Sequence, residues 1–332
     1  MKRPQLSGLL RIGCGIALVG WLLWQAAGHE AFAQLRENPP DLGRLAVAWV
    51  AILVALVLAF TRWRLVAAAA GIAMTQAEAL RLGAIGFACN FVALGSVGGD
   101  VVKAALLAKP RPGQRARAVA TVVVDRLMGL LGFLTFAAVA ILWTGTASEE
   151  VSVSLRVLSR SVLVATGVAI TAFVLPLMPG RPVEKISAWF HDTPLIGGAA
   201  ERIGNLASLY RDGRRLLLVA MAVGLSVNAM IILSFYAAAT ALRLSIPGLA
   251  EHLLIVPLAM ISGALPISPN GLGTIEATAE FLYRTTDPNT PVGAGVLAAL
   301  SHRLAMIAAG VTCAAYYYAT SGRLEPLDLE EP

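Results

Sequence analysis

The stretch NFVALGSVGGD, residues 90–100, interrupts an apolar segment with three glycines and ends in a carboxylate. A second stretch, PISPNGLGTIE, residues 266–276, has the same character in the second half of the chain. In each half an arginine follows that carboxylate inside a later apolar segment. The resulting pairs are Asp100 with Arg126 and Glu276 with Arg303. Interrupted apolar segments at matching places in two halves are typical of the binding sites of secondary transporters.

The composition predicts that lipid surrounds most of this chain. Hydrophobic residues make up 57% of the 332 residues and charged residues only 14%, with a mean hydropathy of +0.73. So few charges cannot cover a soluble domain of this size. Six apolar runs approach or exceed the roughly 20 residues that span a bilayer. They lie near 8–27, 45–61, 118–143, 157–178, 216–240 and 294–319.

The distribution of basic residues predicts that the two interrupted segments do not cross the membrane. Lys2, Arg3 and Arg11 place the N-terminus in the cytoplasm by the positive-inside rule. If 82–102 crossed, the basic loop that follows would lie outside, so we expect a re-entrant hairpin that returns to the cytoplasm. The stretch 252–283 has only Arg243 before it and Arg284 after it, so neither flank is basic enough to be cytoplasmic, and we expect it to enter from outside as a second hairpin.

The predicted fold class is an all-α polytopic membrane protein with six transmembrane helices and two re-entrant hairpins. Each half crosses the membrane three times, so the halves form an inverted repeat, about 8–144 and 156–320, within a single integral membrane domain over 1–332. We expect a multi-pass protein of the plasma (inner) membrane with both termini in the cytoplasm.

Three other features of the sequence bear on its class. The N-terminal run together with Ala31-Phe32-Ala33 also resembles a signal peptide, but Arg11 shortens its apolar core and the repeat requires this helix. The net charge of +6 comes from basic residues in short loops, which argues against nucleic acid as a partner. The cysteines and histidines are scattered, so we expect no metal and no cofactor.

The candidate binding site lies at the two interruptions. A half-helix that begins inside the membrane presents unpaired N–H groups that attract anions such as phosphate. Asp100 and Glu276 either cap these helices or bind a cationic group of the cargo. Arg126 and Arg303 either pair with those carboxylates or bind phosphate by bidentate hydrogen bonds.

Further polar residues complete the set of candidates. Asp125 and Arg126 are adjacent, so they face different directions and are expected to have separate partners. Lys103 is expected to meet anionic lipid at the cytoplasmic leaflet. Asn228 and Ser234 are expected to join helices. The predicted substrate-binding residues are Asn90, Ser96, Gly98, Gly99, Asp100, Lys103, Asp125, Arg126, Ser268, Asn270, Gly271, Gly273, Glu276 and Arg303.

The chain resembles the lysylphosphatidylglycerol synthase transmembrane-region family over about residues 10–320. The resemblance is carried by 62–64 (RWR), 98–100 (GGD), 124–129 (VDRLMG) and 266–276. It implies a flippase-like membrane domain. The soluble aminoacyltransferase part of the best-known members is not found here, so we expect no synthesis of aminoacyl-lipid and no enzyme activity. Stand-alone relatives are linked to isoprenoid, hopanoid or glycolipid substrates.

The sequence therefore favours a flippase-like transporter that moves a polar or phosphate-bearing lipid, such as a phospholipid or an isoprenoid-linked glycolipid, between leaflets of the bacterial inner membrane. Its partners would be that lipid, the membrane and a separate lipid-synthesising enzyme. Two alternatives remain at this point. One is a membrane-embedded glycosyl- or phosphotransferase that acts on a lipid carrier. The other is a non-transporting scaffold for the synthesis of envelope lipid or polysaccharide.

Overall fold

The computed structural model describes residues 20, 30–92, 98–146, 153–175, 178, 204, 208–265 and 268–321. Within these residues the chain is helical, with no strand. The helices are α1 Glu30–Glu37, α2 Leu42–Ala69, α3 Gln76–Val92, α4 Gly98–Ala108, α5 Arg115–Thr144, α6 Val153–Val174, α7 Arg214–Ala241, α8 Leu249–Ala264, α9 Thr274–Thr286 and α10 Ala294–Ser321, and a short 3₁₀ turn covers Pro269–Gly271.

Five of these helices, α2, α5, α6, α7 and α10, are long and apolar enough to cross a membrane. They coincide with five of the six predicted spans and extend most of them by a few residues. The sixth predicted span, 8–27, lies outside the described residues except for Gly20, as does most of the alternative signal peptide. The chain is thus a multi-pass helical membrane protein.

Both predicted interruptions separate two shorter helices. The first lies between the end of α3 at Val92 and the start of α4 at Gly98, and the second between the end of α8 at Ala264 and the start of α9 at Thr274. None of these four helices is among the five long spans. We call α3–α4 the first hairpin and α8–α9 the second hairpin.

Both hairpins pack against the same two long helices. The first hairpin packs through α3 against α10, and the second hairpin packs through α8 against α5. Likewise α4 packs against α5, and α9 packs against α10. Each hairpin is therefore held between α5 and α10.

The centre of the fold is the antiparallel pair α2 and α7, which contact each other along their length. At one end, the N–H of Asp41 donates to the carbonyl of Ala241 at 2.8 Å. At the other end, a side chain at Gly213 would meet the carbonyl oxygen of Ala69 at 2.5 Å. Small residues let the two backbones approach, as is usual between membrane helices.

Two predicted polar links between helices are confirmed. The amide of Asn228 on α7 donates to the carbonyl of Gly129 on α5 at 3.0 Å. The hydroxyl of Ser234 on α7 donates to the carbonyl of Ala48 on α2 at 2.8 Å. Both side chains are buried. Such bonds satisfy polar groups that lipid cannot satisfy.

Candidate functional site

The turn of the second hairpin requires glycine for two reasons. Gly271 and Gly273 have φ angles of 67° and 85°, in the left-handed region that disfavours a Cβ. A Cβ on Gly271 would also lie 2.6 Å from the Cα of Gly263 on α8. Asn270, at φ 49°, is one of the non-glycine residues that tolerate this region best. The sequence therefore forces a tight reversal before α9 begins.

Glu276 has no exposed surface and uses both carboxylate oxygens. Its Oε2 accepts a hydrogen bond from the N–H of Gly273 at 2.7 Å, which caps the N-terminus of α9. Its Oε1 accepts from Nε of Arg303 at 2.8 Å and lies 2.7 Å from Nη2 of the same arginine. Both predicted structural roles, the cap and the ion pair, are confirmed in one side chain.

Arg303 also holds the turn itself. Its Nη1 donates to the carbonyl of Asn270 at 3.3 Å, and its Nη2 donates to the carbonyl of Gly271 at 3.4 Å. Both carbonyls lie in the turn between α8 and α9, and that of Gly271 also accepts from the hydroxyl of Thr274 at 3.0 Å. Arg303 on α10 therefore holds the second hairpin in place through the backbone of the turn and through the carboxylate of Glu276. The hydroxyl of Ser268, expected to satisfy backbone groups here, has no hydrogen-bond partner among the described residues.

In the first hairpin, Asn90 caps α4. Its side-chain oxygen accepts from the N–H of Gly99 at 3.0 Å, which confirms the expectation that this residue satisfies backbone freed by the interruption. A Cβ on Gly99 would lie 2.0 Å from the carbonyl oxygen of Gly86 on α3, so only glycine allows the two limbs to approach so closely. Gly98 begins α4 beside it, and Ser96 lies outside the described residues.

The predicted pair of Asp100 and Arg126 is also formed, through Nε and Oδ2. It is more open than its counterpart in the second half. The Arg126 side chain is 41% exposed and that of Asp100 is 15% exposed, whereas the values for Arg303 and Glu276 are 15% and 0%. The first pair is therefore the one that a ligand can approach.

Asp125 points away from Arg126, as predicted, and belongs to a second charged group. Its Oδ1 accepts from Nε of Arg62 on α2 at 2.8 Å, and its Oδ2 lies 3.9 Å from Nζ of Lys103 on α4. The Arg62 guanidinium fits beside two glycines, Gly129 on α5 and Gly224 on α7, where a Cβ would come within 3.5 Å of it. We call Arg62, Lys103 and Asp125 the buried charge cluster.

The expectation that Lys103 reaches the cytoplasmic leaflet is wrong. The residue is only 8% exposed and turns inward, with its ammonium 4.5 Å above the ring of Trp63. The indole N–H of Trp63 donates to the hydroxyl of Thr121 at 3.2 Å, which fixes the ring. The aromatic face and Asp125 together hold the ammonium inside the protein, because both attract a cation.

A groove of about 640 Å³ runs along α4 and α5. Its walls are mainly alanine and valine, with Asp100 at one end and the basic residues Lys109 and Arg115 at the other. Apolar walls with a basic rim suit the chains and the phosphate of a lipid. In the part of the chain that the structure describes, no group of three His, Cys, Asp or Glu side chains is placed to hold a metal ion.

Comparison with known families identifies the family of this chain. A model of the family "Lysylphosphatidylglycerol synthase TM region" matches residues 8–313. Comparisons with curated proteins and with solved structures found no match. The family match covers most of the chain and includes both hairpins and the buried charge cluster. The chain belongs to this family.

Proposed function

We propose that this member of the lysylphosphatidylglycerol synthase transmembrane-region family moves a polar-headed or phosphate-bearing lipid between the leaflets of the bacterial inner membrane. The observation that carries the proposal is the matched pair of interrupted helices. Each begins its second limb beside a carboxylate that is paired with an arginine of the next long span. A lipid-related function in a membrane agrees with the family.

The packing of the hairpins supports an inverted repeat. The central helices α2 and α7 occupy corresponding positions and run in opposite directions, as inverted halves require. The contacts of α3 with α10 and of α8 with α5 join each hairpin to a helix of the other proposed half, as a site between the halves requires. In this arrangement the first hairpin enters from the cytoplasm, the second enters from outside, and both termini are cytoplasmic.

Ion pairs at the interruptions suit a site that binds and releases a charged headgroup. An arginine can exchange its carboxylate for a phosphate, because both accept bidentate hydrogen bonds. The carboxylate left behind is then available to a cationic part of the cargo. The open pair, Asp100 with Arg126, lies at one end of the apolar groove and is the first candidate for this exchange.

The same contacts favour transport over chemistry. A general acid or base needs a carboxylate that can gain and lose a proton beside the substrate. Glu276 has both oxygens engaged by donors, and Asp100 is paired with a guanidinium, so both carboxylates are already occupied by protein groups. We therefore propose that this chain is not itself an enzyme, and that a separate enzyme makes its lipid.

The test is lipid movement in proteoliposomes that contain the purified chain and a fluorescent phosphatidylglycerol, with outer-leaflet dye quenched by dithionite. We expect Arg126→Ala and Glu276→Gln to abolish the protein-dependent movement. Gln retains an oxygen for the N–H of Gly273 and removes the charge that pairs with Arg303. Arg284→Ala, on the exposed surface of α9, is the control and should move lipid at the original rate. Unchanged movement in both site variants would eliminate the proposed site.

A further inference from the structure

The two halves place different chemistry at corresponding positions. Asp125 directly precedes Arg126 on α5, and His302 directly precedes Arg303 on α10. Asp125 accepts a hydrogen bond from Arg62 on α2, whereas His302 contacts Ser234 on α7 through Nδ1 at 3.3 Å. Because α2 corresponds to α7, the buried ion pair of one half stands where the other half has a hydroxyl and an imidazole.

The third member of the buried charge cluster shows the same contrast. Lys103 follows Asp100 by three residues on α4, and Ala279 follows Glu276 by three residues on α9. Ala279 is fully buried in an apolar core, whereas Lys103 is buried beside Trp63 and Asp125. Two cations and one carboxylate therefore occur in the first half, where the second half has no formally charged side chain.

The buried charge cluster carries an excess of one positive charge. Uncompensated charge inside a membrane protein is expensive and is seldom without a function. Arg62 satisfies Asp125 through a short hydrogen bond, so its pairing does not depend on Lys103. The Lys103 ammonium lies 3.9 Å from the nearest Asp125 oxygen, beyond hydrogen-bond length. Lys103 can therefore take another anion without leaving a buried carboxylate unpaired.

The cluster is open to a ligand at Lys103. About a tenth of the Lys103 and Asp125 side chains is exposed, so the cluster is not sealed. The long, flexible stem of lysine lets its ammonium follow a ligand, while the rigid pair of Arg62 and Asp125 remains in place.

We infer that Lys103, supported by the pair of Arg62 and Asp125, binds the phosphate of a lipid, and that the second half has no equivalent phosphate site. The inference rests on the proposed function for the choice of a lipid as the source of the phosphate. Negative charge on the cargo is therefore recognised in the first half only. The cargo thus meets a cationic site in the half that holds the open pair of Asp100 and Arg126.

The test measures lipid binding to the purified full chain in detergent by native mass spectrometry. The probes are dioleoylphosphatidylglycerol, dioleoylglycerol, which has the same chains without phosphate, and inorganic phosphate. We expect Lys103→Met to weaken phosphatidylglycerol binding by about ten- to hundredfold, the usual worth of a charge-assisted contact, and to leave dioleoylglycerol binding unchanged. Lys103→Arg and the second-half control Ser234→Ala should stay within about threefold of the original affinity.

Each of the other possible outcomes also tests the inference. Equal phosphatidylglycerol binding by Lys103→Met, or an equal loss for both lipids, would overturn the site. Inorganic phosphate that binds as tightly as the phospholipid, and depends on Lys103, would show that the ligand is free phosphate and would refute a lipid source. Because binding needs no transport, proteoliposomes without lipid movement but with Lys103-dependent binding would defeat the proposed function alone.

Discussion

Replacement of Arg303 by methionine should destabilise the protein more than any other single change at the hairpins. The guanidinium donates to the fully buried Glu276 carboxylate and to two carbonyls of the turn. Methionine fills similar volume but donates nothing. Removal of one partner of a buried ion pair costs about 3–5 kcal/mol, because the other charge remains in a low-dielectric interior. We expect a loss of free energy of unfolding in this range.

A double-mutant cycle separates the ion pair from the other contacts of Arg303. Glu276→Gln keeps an oxygen for the N–H of Gly273 and removes the charge. In that background Arg303→Met no longer strands a carboxylate and should cost less, by about 1–3 kcal/mol of coupling. The pair of Asp100 and Arg126 should show coupling of at most about 1 kcal/mol, because water screens a guanidinium that is 41% exposed.

The measurement is equilibrium unfolding by sodium dodecyl sulfate in mixed micelles, followed by circular dichroism of the helices. Each cycle uses four variants and one set of conditions, so uncertainty in the unfolded state largely cancels. A coupling of Glu276 with Arg303 within 0.5 kcal/mol of zero would refute the claim that the pair fastens the second hairpin, since about 0.5 kcal/mol is the scatter expected of independent sites. A coupling of Asp100 with Arg126 that exceeds the coupling of Glu276 with Arg303 would refute the argument that greater exposure weakens the first pair.

Three further outcomes are expected. Gly99→Ala should lower the free energy of unfolding by about 1–3 kcal/mol, because its methyl group would overlap a backbone carbonyl of α3. The control Gly167→Ala has open space around the new methyl group and should be neutral or slightly stabilising in the same unfolding assay. Asn228→Ala should cost about 1 kcal/mol, the usual worth of a hydrogen bond between membrane helices, and a cost above about 3 kcal/mol would contradict this role. In a background without the natural cysteines, a maleimide added to spheroplasts should label Asn289→Cys and not Lys109→Cys, and the reverse pattern would invert the proposed topology.

The sequence predicts the hairpins because their causes are local. Glycines and prolines interrupt segments that are too apolar to be ordinary solvent-exposed loops, so these segments are expected to lie within the membrane. Carboxylates and arginines inside such segments must find opposite charges, and the repetition of the pattern in two halves identifies the partners. The ion pairs at Asp100 and Glu276 follow from these two arguments without any knowledge of the packing.

The buried charge cluster could not be predicted in the same way. In the sequence Arg62 directly follows the span predicted at 45–61, where it resembles an ordinary cytoplasmic charge. The structure extends that helix to Ala69, which places Arg62 inside it. Its partner Asp125 lies 63 residues away, and the direction in which each helix faces depends on packing. The available signal was Gly129 on α5, a small residue one turn beyond Asp125 that makes room for a large side chain.

The two halves of the proposed repeat differ in charge, and this difference bears on the proposed transport. A ligand shifts an equilibrium between two conformations only when it binds one more tightly than the other. Two inverted halves with equal charges would hold a headgroup equally well from either side. In the second half, Glu276 and Arg303 satisfy each other's charge, and Arg303 also donates to the turn. The first half has one cation in excess in the buried charge cluster and a more exposed ion pair. If the chain moves lipid as proposed, this difference would give a headgroup unequal affinity for the two halves, on a scaffold in which both hairpins pack against the same two long helices, α5 and α10.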